Sequence, residues 1–195
     1  MTRVAGLVLA AGESTRFGAP KALAALEGRP MLEHVLAAAR AADLDPVVVV
    51  LGHAVEAIEP AIAWHGERRV RNPDPGRGLA SSVVIGVAEI DAMPGVDGVV
   101  ILLGDQPRVD PAIIRRLVAG LRAGDRPFVV ARHAAGGGPN PVAVGRTAFV
   151  LVGEVRGDRG LGPVIEAHPE LVAHVDVPGG NPDVDTPADL AGLGR

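Results

Sequence analysis

Val4-Ala5-Gly6-Leu7-Val8-Leu9-Ala10-Ala11-Gly12-Glu13-Ser14-Thr15-Arg16-Phe17-Gly18-Ala19-Pro20-Lys21 runs from an unbroken apolar stretch straight into a glycine-containing, cationic loop. A strand buried on both faces reads as a continuous apolar run rather than an alternation, which is the mark of a parallel sheet covered by helices. After the first run at residues 4–9, similar ones recur at residues 47–51, 99–103 and 128–131, each bounded by Gly, Pro or Asp. Helical patterns lie between them. Pro30-Met31-Leu32 opens one, with Val35, Leu36 and Ala39 at helical spacing, and residues 79–90 form a second. In a third, Asp110 stands as N-cap and Pro111 at the first helical position, ahead of an apolar stripe of Ile113, Ile114, Leu117, Val118 and Leu121. Strands alternating with helices imply right-handed βαβ crossovers, hence a three-layer α/β fold with a mostly parallel sheet.

After residue 132 the pattern loosens into Gly136-Gly137-Gly138-Pro139, a short strand at 142–144, a helix near 147–152 and a late strand at 171–177. This half is expected to add antiparallel strands at one edge. No repeat and no linker separates two apolar patterns, so one domain over residues 1–195 is expected.

The loop after the first strand falls at the carboxyl end of the sheet, where ligands bind in open α/β folds. Small residues let backbone N–H groups approach an anion, Ser14 and Thr15 add hydroxyl donors, and Arg16 and Lys21 bring two positive charges. These residues suit a phosphate. A glycine-containing connection carrying two solvated cations describes them too. The loop is no P-loop, because Gly12 and Gly18 stand one residue too far apart and no Gly-Lys-Ser/Thr follows; nor is it the Gly-x-Gly-x-x-Gly dinucleotide fingerprint.

Composition narrows the chemistry. The 195 residues hold no cysteine, which excludes disulfides, thiolate metal sites and cysteine nucleophiles. Aromatics are only 2% and the formal charge is −4, a poor basis for stacking or gripping nucleic acid, so no nucleic-acid partner is expected. The apolar runs fall far short of the roughly 18–20 residues of a spanning helix, and no membrane role is expected. One charge, Arg3, precedes the first run, which continues into the loop rather than into a cleavage site, so a cytoplasmic location is expected over secretion. The six histidines form no His-Glu-x-x-His pair, and no Gly-x-Ser-x-Gly elbow occurs. His34 and His168 fall in helical patterns and read as satisfied or solvated.

Three further segments carry chemistry. Gly104-Asp105-Gln106-Pro107 puts Asp105 at a strand tip on the same sheet edge as the loop, where a carboxylate either holds magnesium beside substrate phosphates or caps a turn. In Asn181-Pro182-Asp183-Val184-Asp185-Thr186-Pro187-Ala188-Asp189-Leu190, Thr186 and Pro187 read as the start of a terminal helix, which leaves Asp185 unexplained. Asn72-Pro73-Asp74-Pro75-Gly76-Arg77-Gly78-Leu79-Ala80-Ser81-Ser82 opens a helix with two hydroxyls in its first turn, fit for a polar ligand or for a plain cap.

Taken in order, Leu9 through Lys21 resembles the signature loop of nucleotidyltransferases of the molybdenum-cofactor type, and the three later segments resemble that family's remaining motifs. The resemblance implies a nucleotide-diphospho-sugar transferase-like (Rossmann-like) fold. It further implies a nucleotide site at Leu9, Ala10, Ala11, Gly12, Ser14, Arg16, Lys21, Asn72, Gly78, Ser81 and Ser82. Arg16, Lys21 and Asp105 take catalytic roles by the same resemblance, and Asp105 and Asp185 hold Mg2+, with Asp183 beside them. Leu9-Ala10-Ala11-Gly12 matches relatives that use CTP, whereas guanylyl relatives tend to carry Leu-Ala-Gly-Gly. The implied reaction is CMP transfer from CTP (or GMP from GTP) to a phosphorylated acceptor, the molybdopterin cofactor, with a molybdenum hydroxylase as recipient. A guanylyltransferase, a transferase using another phosphorylated acceptor and a non-catalytic cofactor-delivery protein remain as alternatives. The chain departs from the family at Gly138-Pro139-Asn140-Pro141-Val142 and at Gly157-Asp158-Arg159-Gly160, two regions that face the acceptor in relatives.

Overall fold

The structure, a computed structural model, describes residues 3–14, 16–136 and 138–193. Its first strand, β1 (Val4–Ala10), leads through the loop to a two-stranded hairpin, β2 (Ala25–Leu26) and β3 (Arg29–Pro30), and then to α1 (Met31–Ala41) and β4 (Val47–Leu51). A short α2 (Val55–Ile58), β5 (Arg68–Arg71), α3 (Leu79–Asp91), β6 (Gly98–Leu103) and α4 (Pro111–Ala123) follow. The last third holds β7 (Phe128–His133), β8 (Val142–Gly145), α5 (Phe149–Val152), α6 (Gly162–Ala167), β9 (Val172–Val177) and α7 (Pro187–Leu193).

Seven strands form one sheet in the order β5-β4-β1-β6-β8-β7-β9. β1 pairs in parallel with β4 on one side, Leu9 opposite Val50, and with β6 on the other, Leu9 opposite Leu103. That register brings the ends of β1, β4 and β6 level, so the loops leaving them share one edge. Alternate strand residues bury into two separate layers. Val8, Val49, Val100 and Leu102 pack with Leu32, Val35 and Leu36 of α1 and Ile114 and Leu117 of α4. Leu7, Val48, Val50, Val99 and Ile101 pack with Val83, Val87 and Ile90 of α3 and Phe149 of α5. Both faces being covered explains why these strands read as unbroken apolar runs. The helix α4 begins as its sequence implies: Asp110 accepts a hydrogen bond from the Ala112 N–H at 2.7 Å, and Pro111 follows at the first helical position.

The antiparallel element corrects the expectation of an antiparallel edge. Among the described residues of the seven-stranded sheet, β8 alone runs against its neighbours, and it lies inside the sheet between β6 and β7. The edge place belongs to β9, which pairs in parallel with β7. Burial explains the choice. Val142, Ala143 and Val144 are apolar and fully enclosed, as an interior strand requires, whereas β9 carries the exposed polar pair His174 and Asp176. The expected helix near 147–152 divides into a 3-10 turn at Arg146–Ala148 and α5, and His168 sits just past the end of α6. His34 in α1 is buried and satisfied, with Nε2 2.8 Å from the Leu26 carbonyl. Gly137 lies outside the described residues.

Candidate active site

The loop between β1 and the turn at Lys21 is organised by Ser14, which holds a left-handed φ of 55°. Its carbonyl accepts from the N–H groups of Phe17 (2.9 Å) and Gly18 (3.2 Å), and its Oγ accepts from the Lys21 N–H at 3.1 Å. Accepting that bond leaves the hydroxyl hydrogen for a further acceptor. Thr15 lies outside the described residues. A Cβ built at Gly12 meets nothing within 4 Å, so open space rather than packing surrounds the backbone there.

This loop forms one wall of a cavity of about 610 Å3, within the range of small-molecule sites. Of the expected nucleotide residues, Leu9, Ala10, Ala11, Gly12, Ser14, Arg16, Lys21, Gly78 and Ser82 line it, and Asp105 and Asp185 stand at the same wall. Asn72 and Ser81 do not. They border a separate depression behind α3, where Asn72 Nδ2 donates to Ser81 Oγ (2.8 Å) and Ser82 Oγ (2.9 Å). Asn72 is buried, and an amide so enclosed must be paired internally, so this cluster braces the start of α3. Gly78 precedes that helix at φ 89°, and a Cβ there would come within 2.7 Å of the Gly157 carbonyl; the gap lets Ala80 N–H reach the Gly157 oxygen at 3.0 Å.

Four charges from three distant segments converge at the cavity mouth. Lys21 Nζ lies 2.6 Å from Asp105 Oδ2 and 3.2 Å from Asp185 Oδ1, and Arg16 Nη2 lies 2.9 Å from Asp185 Oδ2. Burial draws the Lys21 pKa down, but the charge of Asp105 and its hydrogen bond, with help from Asp185, more than offset this and hold it above its ordinary value. Nearby, partial desolvation and then the charge of Asp105 raise the Asp183 carboxyl above the usual carboxylate range. The cations expected to meet phosphates are here engaged by the acids expected to meet a metal. Opposite charges at one water-accessible mouth neutralise one another until a ligand offers each a stronger partner.

The donor set fits a hard divalent cation that arrives with phosphates. Asp105 Oδ1 is buried without a hydrogen-bond partner, an oxygen still in need of a positive neighbour. Among the described residues, no group of three or more His, Cys, Asp or Glu is arranged to hold a metal alone. Two carboxylates completed by water and substrate oxygens is how magnesium is usually held. Sequence reasoning missed Glu13 and Asp158 as cavity acids. With Asp105, Asp183 and Asp185 they make five lining carboxylates against the two cations Arg16 and Lys21, so a triphosphate needs added positive charge to enter. It also missed Ala54 of the turn after β4 and Ile58 of α2, which supply an apolar side. Only their place next to a strand end hints at this.

A second cavity, of about 550 Å3, adjoins the first through Leu9, Leu79 and Leu103. Both regions that depart from the family pattern border it, through Gly138, Pro139, Asn140 and Val142 and through Arg159 and Gly160.

The chain is similar in sequence and fold to several known proteins. The chain is 36% identical to Rv0371c from Mycobacterium tuberculosis H37Rv, with a TM-score of 0.88 over 98% of this chain and 97% of that one. A structure of Rv0371c in complex with manganese matches at 34% identity and a TM-score of 0.84, over 98% and 97% of the two chains. A nucleotidyl transferase from Methanothermobacter thermautotroptrophicus shares the fold at 24% identity and a TM-score of 0.79, over 99% of this chain and 96% of that one. Among curated proteins, the bifunctional protein GlmU of Sorangium cellulosum is 38% identical over 137 residues, which is 66% of this chain and 28% of that protein. The chain thus spans little more than a quarter of the length of that curated relative. The sequence model of the MobA-like NTP transferase domain matches residues 6–175, most of the length, and the chain belongs to that family.

Proposed function

We propose that the chain transfers CMP from CTP to the molybdopterin cofactor, with magnesium as cofactor and pyrophosphate as leaving group. On this reading it works in the cytoplasm as one domain over residues 1–195 and serves a molybdenum hydroxylase. The observation that carries it is the meeting of Arg16 and Lys21 with Asp105 and Asp185 at the mouth of a nucleotide-sized cavity. Family membership supports nucleotidyl transfer, and the manganese complex of Rv0371c supports a divalent cation.

An acceptor phosphate is already ionised near neutral pH. Its oxygen attacks the α-phosphorus, the bond from that phosphorus to the β-bridging oxygen breaks, and pyrophosphate departs with the electron pair. No strong general base is needed, and the rate rests on alignment and charge. Arg16 and Lys21 exchange their carboxylate partners for phosphate oxygens and neutralise the charge growing on the leaving group. Asp105 and Asp185 would hold Mg2+, which when bound would screen the negative charge of the triphosphate. The second cavity takes the body of the acceptor.

Ala11 lines the cavity, and on this reading the base edge rests against it, where its methyl takes space that a purine would need. Contacts of this size are worth about 1–3 kcal/mol, or roughly 10–200-fold in specificity. CTP is therefore expected to exceed GTP in kcat/KM by at least about tenfold. Ala11→Gly narrows the ratio without reversing it. Direct competition between the two triphosphates is the test, and a wild-type preference for GTP would replace this reading with a guanylyltransferase.

Charge removal has a graded consequence. Lys21 is only 18% exposed and bridges two acids, whereas Arg16 is 70% exposed and meets one. Lys21→Ala should weaken CTP binding at least about tenfold, Arg16→Ala less, because exposed pairs contribute little. Cytidine binding should hardly change in either variant. Calorimetry that finds equal losses for CTP and cytidine would make both residues structural.

A further inference from the structure

Between the tip of β6 and the segment ahead of α7 runs a partly buried polar zip, centred on Gln106, whose amide no role above uses. Gln106 is 4% exposed. Its Nε2 donates to the Asn181 carbonyl at 3.1 Å and to Asp183 Oδ1 at 2.9 Å, and its Oε1 accepts from Asn181 Nδ2 at 2.7 Å. The main chain adds a rung, from the Val184 N–H to the Asp105 carbonyl at 2.9 Å, beside the fully buried Val184 side chain.

The order of these groups matters. Asp105 immediately precedes Gln106 in one segment, and Asp185 immediately follows Val184 in the other, so the rungs that join the two segments lie next to both acids. An amide this enclosed is costly unless each of its polar atoms is paired, and here both are paired to the same loop. The bond to Asp183 also sorts two acids two residues apart. Asp183 is occupied by the amide, while Asp185 faces Lys21 and Arg16.

We infer that Gln106 is a positioning residue, which fixes residues 181–185 against the β6 tip and thereby sets Asp185 opposite Asp105. It lines neither cavity and acts through Asp185. Its effect on turnover rests on the function proposed above; its effect on the loop does not.

The test is Gln106→Met, which keeps length and volume but removes the amide. Turnover of CTP should fall about ten- to a hundredfold, the scale of a misplacement of about 1 Å at a reacting centre. The magnesium concentration for half-maximal rate should rise, with nucleotide KM changing less than about threefold. In an Asp185→Asn background the same substitution should cost less than about twofold, since the group it positions is already lost. Amide exchange at Val184 in the unliganded protein should quicken at least about tenfold, because the rung is no longer held. Should Gln106→Met fail to fold, Asn181→Ala removes one side-chain bond of the zip and should shift turnover and exchange the same way. Unchanged Val184 exchange, or an equal cost in both backgrounds, would overturn the inference. A wild-type protein that turns over no triphosphate, yet shows the quickened exchange on substitution, would refute the proposed reaction and leave the zip standing.

Discussion

Asp105→Asn is expected to lower turnover at least about a hundredfold while the protein melts close to wild type, the scale seen when a preorganised electrostatic group is removed. The side chain is 22% exposed, with one oxygen on Lys21 at 2.6 Å and the other buried and unpaired. Asparagine keeps the shape and still offers Lys21 an acceptor. Lys21 also keeps Asp185, so the fold loses little. What disappears is the charge that a divalent cation would need, at an acid whose second oxygen is buried with no hydrogen-bond partner. Asp185→Asn should act in the same direction. Pyrophosphate release is the measurement, and a variant with an unaltered melting curve that kept more than about a tenth of the wild-type rate would end the metal role of Asp105.

The largest effect on stability is expected at Gly52, the residue after β4. A Cβ there would lie 3.0 Å from both the carbonyl carbon and the Cα of Ala11, inside the loop that follows β1. The obstacle is backbone, so no side chain can swing aside. Gly52→Val should cost about 3 kcal/mol or more, the upper end for overpacking, and should raise KM for CTP because any relief moves the loop. In a chain of this size that loss corresponds to a fall of roughly 6–12 °C in Tm. Gly12→Ala is the contrast, since a Cβ there meets nothing within 4 Å and should leave Tm unchanged. A Gly52→Val variant melting within about 2 °C of wild type would show that the two loops do not bear on each other.

The parts of the fold that could be read from sequence were those whose signal is local. β1, β4 and β6 announce themselves because both faces are buried, and α4 because its cap and first proline stand next to its apolar stripe. β5 escaped notice because its residues are Arg68, Arg69, Val70 and Arg71, an edge strand coated with charge that pairs with Glu89, Glu59 and Glu56. The hairpin of β2 and β3 turns on Glu27 and Gly28, both at positive φ, and two-residue strands are too short to show periodicity. At the site, residue types and their place at strand ends were legible. Which partner each side chain takes was not: Lys21 meets Asp105 across 84 residues and Asp185 across 164, and Asn72 turns inward to two serines. Spacing along a helix or strand tells which face a residue occupies, but not what the rest of the chain brings there.

Mechanically, β8 is a coupling bar. It meets β6 over four residue pairs and β7 over three, and through it the sheet from β5 to β6 is joined to the pair β7 and β9. The first cavity draws on the tips of β1 and β6, while the second straddles the ladder, with Leu9, Ile101 and Leu103 on one side and Val130, Ala131 and Val142 on the other. Any shear along this short ladder therefore changes the shape of the second chamber while leaving the β1 and β6 wall of the first in place. The stiffness of four residues, Val142–Gly145, thus sets how accurately the contents of one chamber are presented to the other.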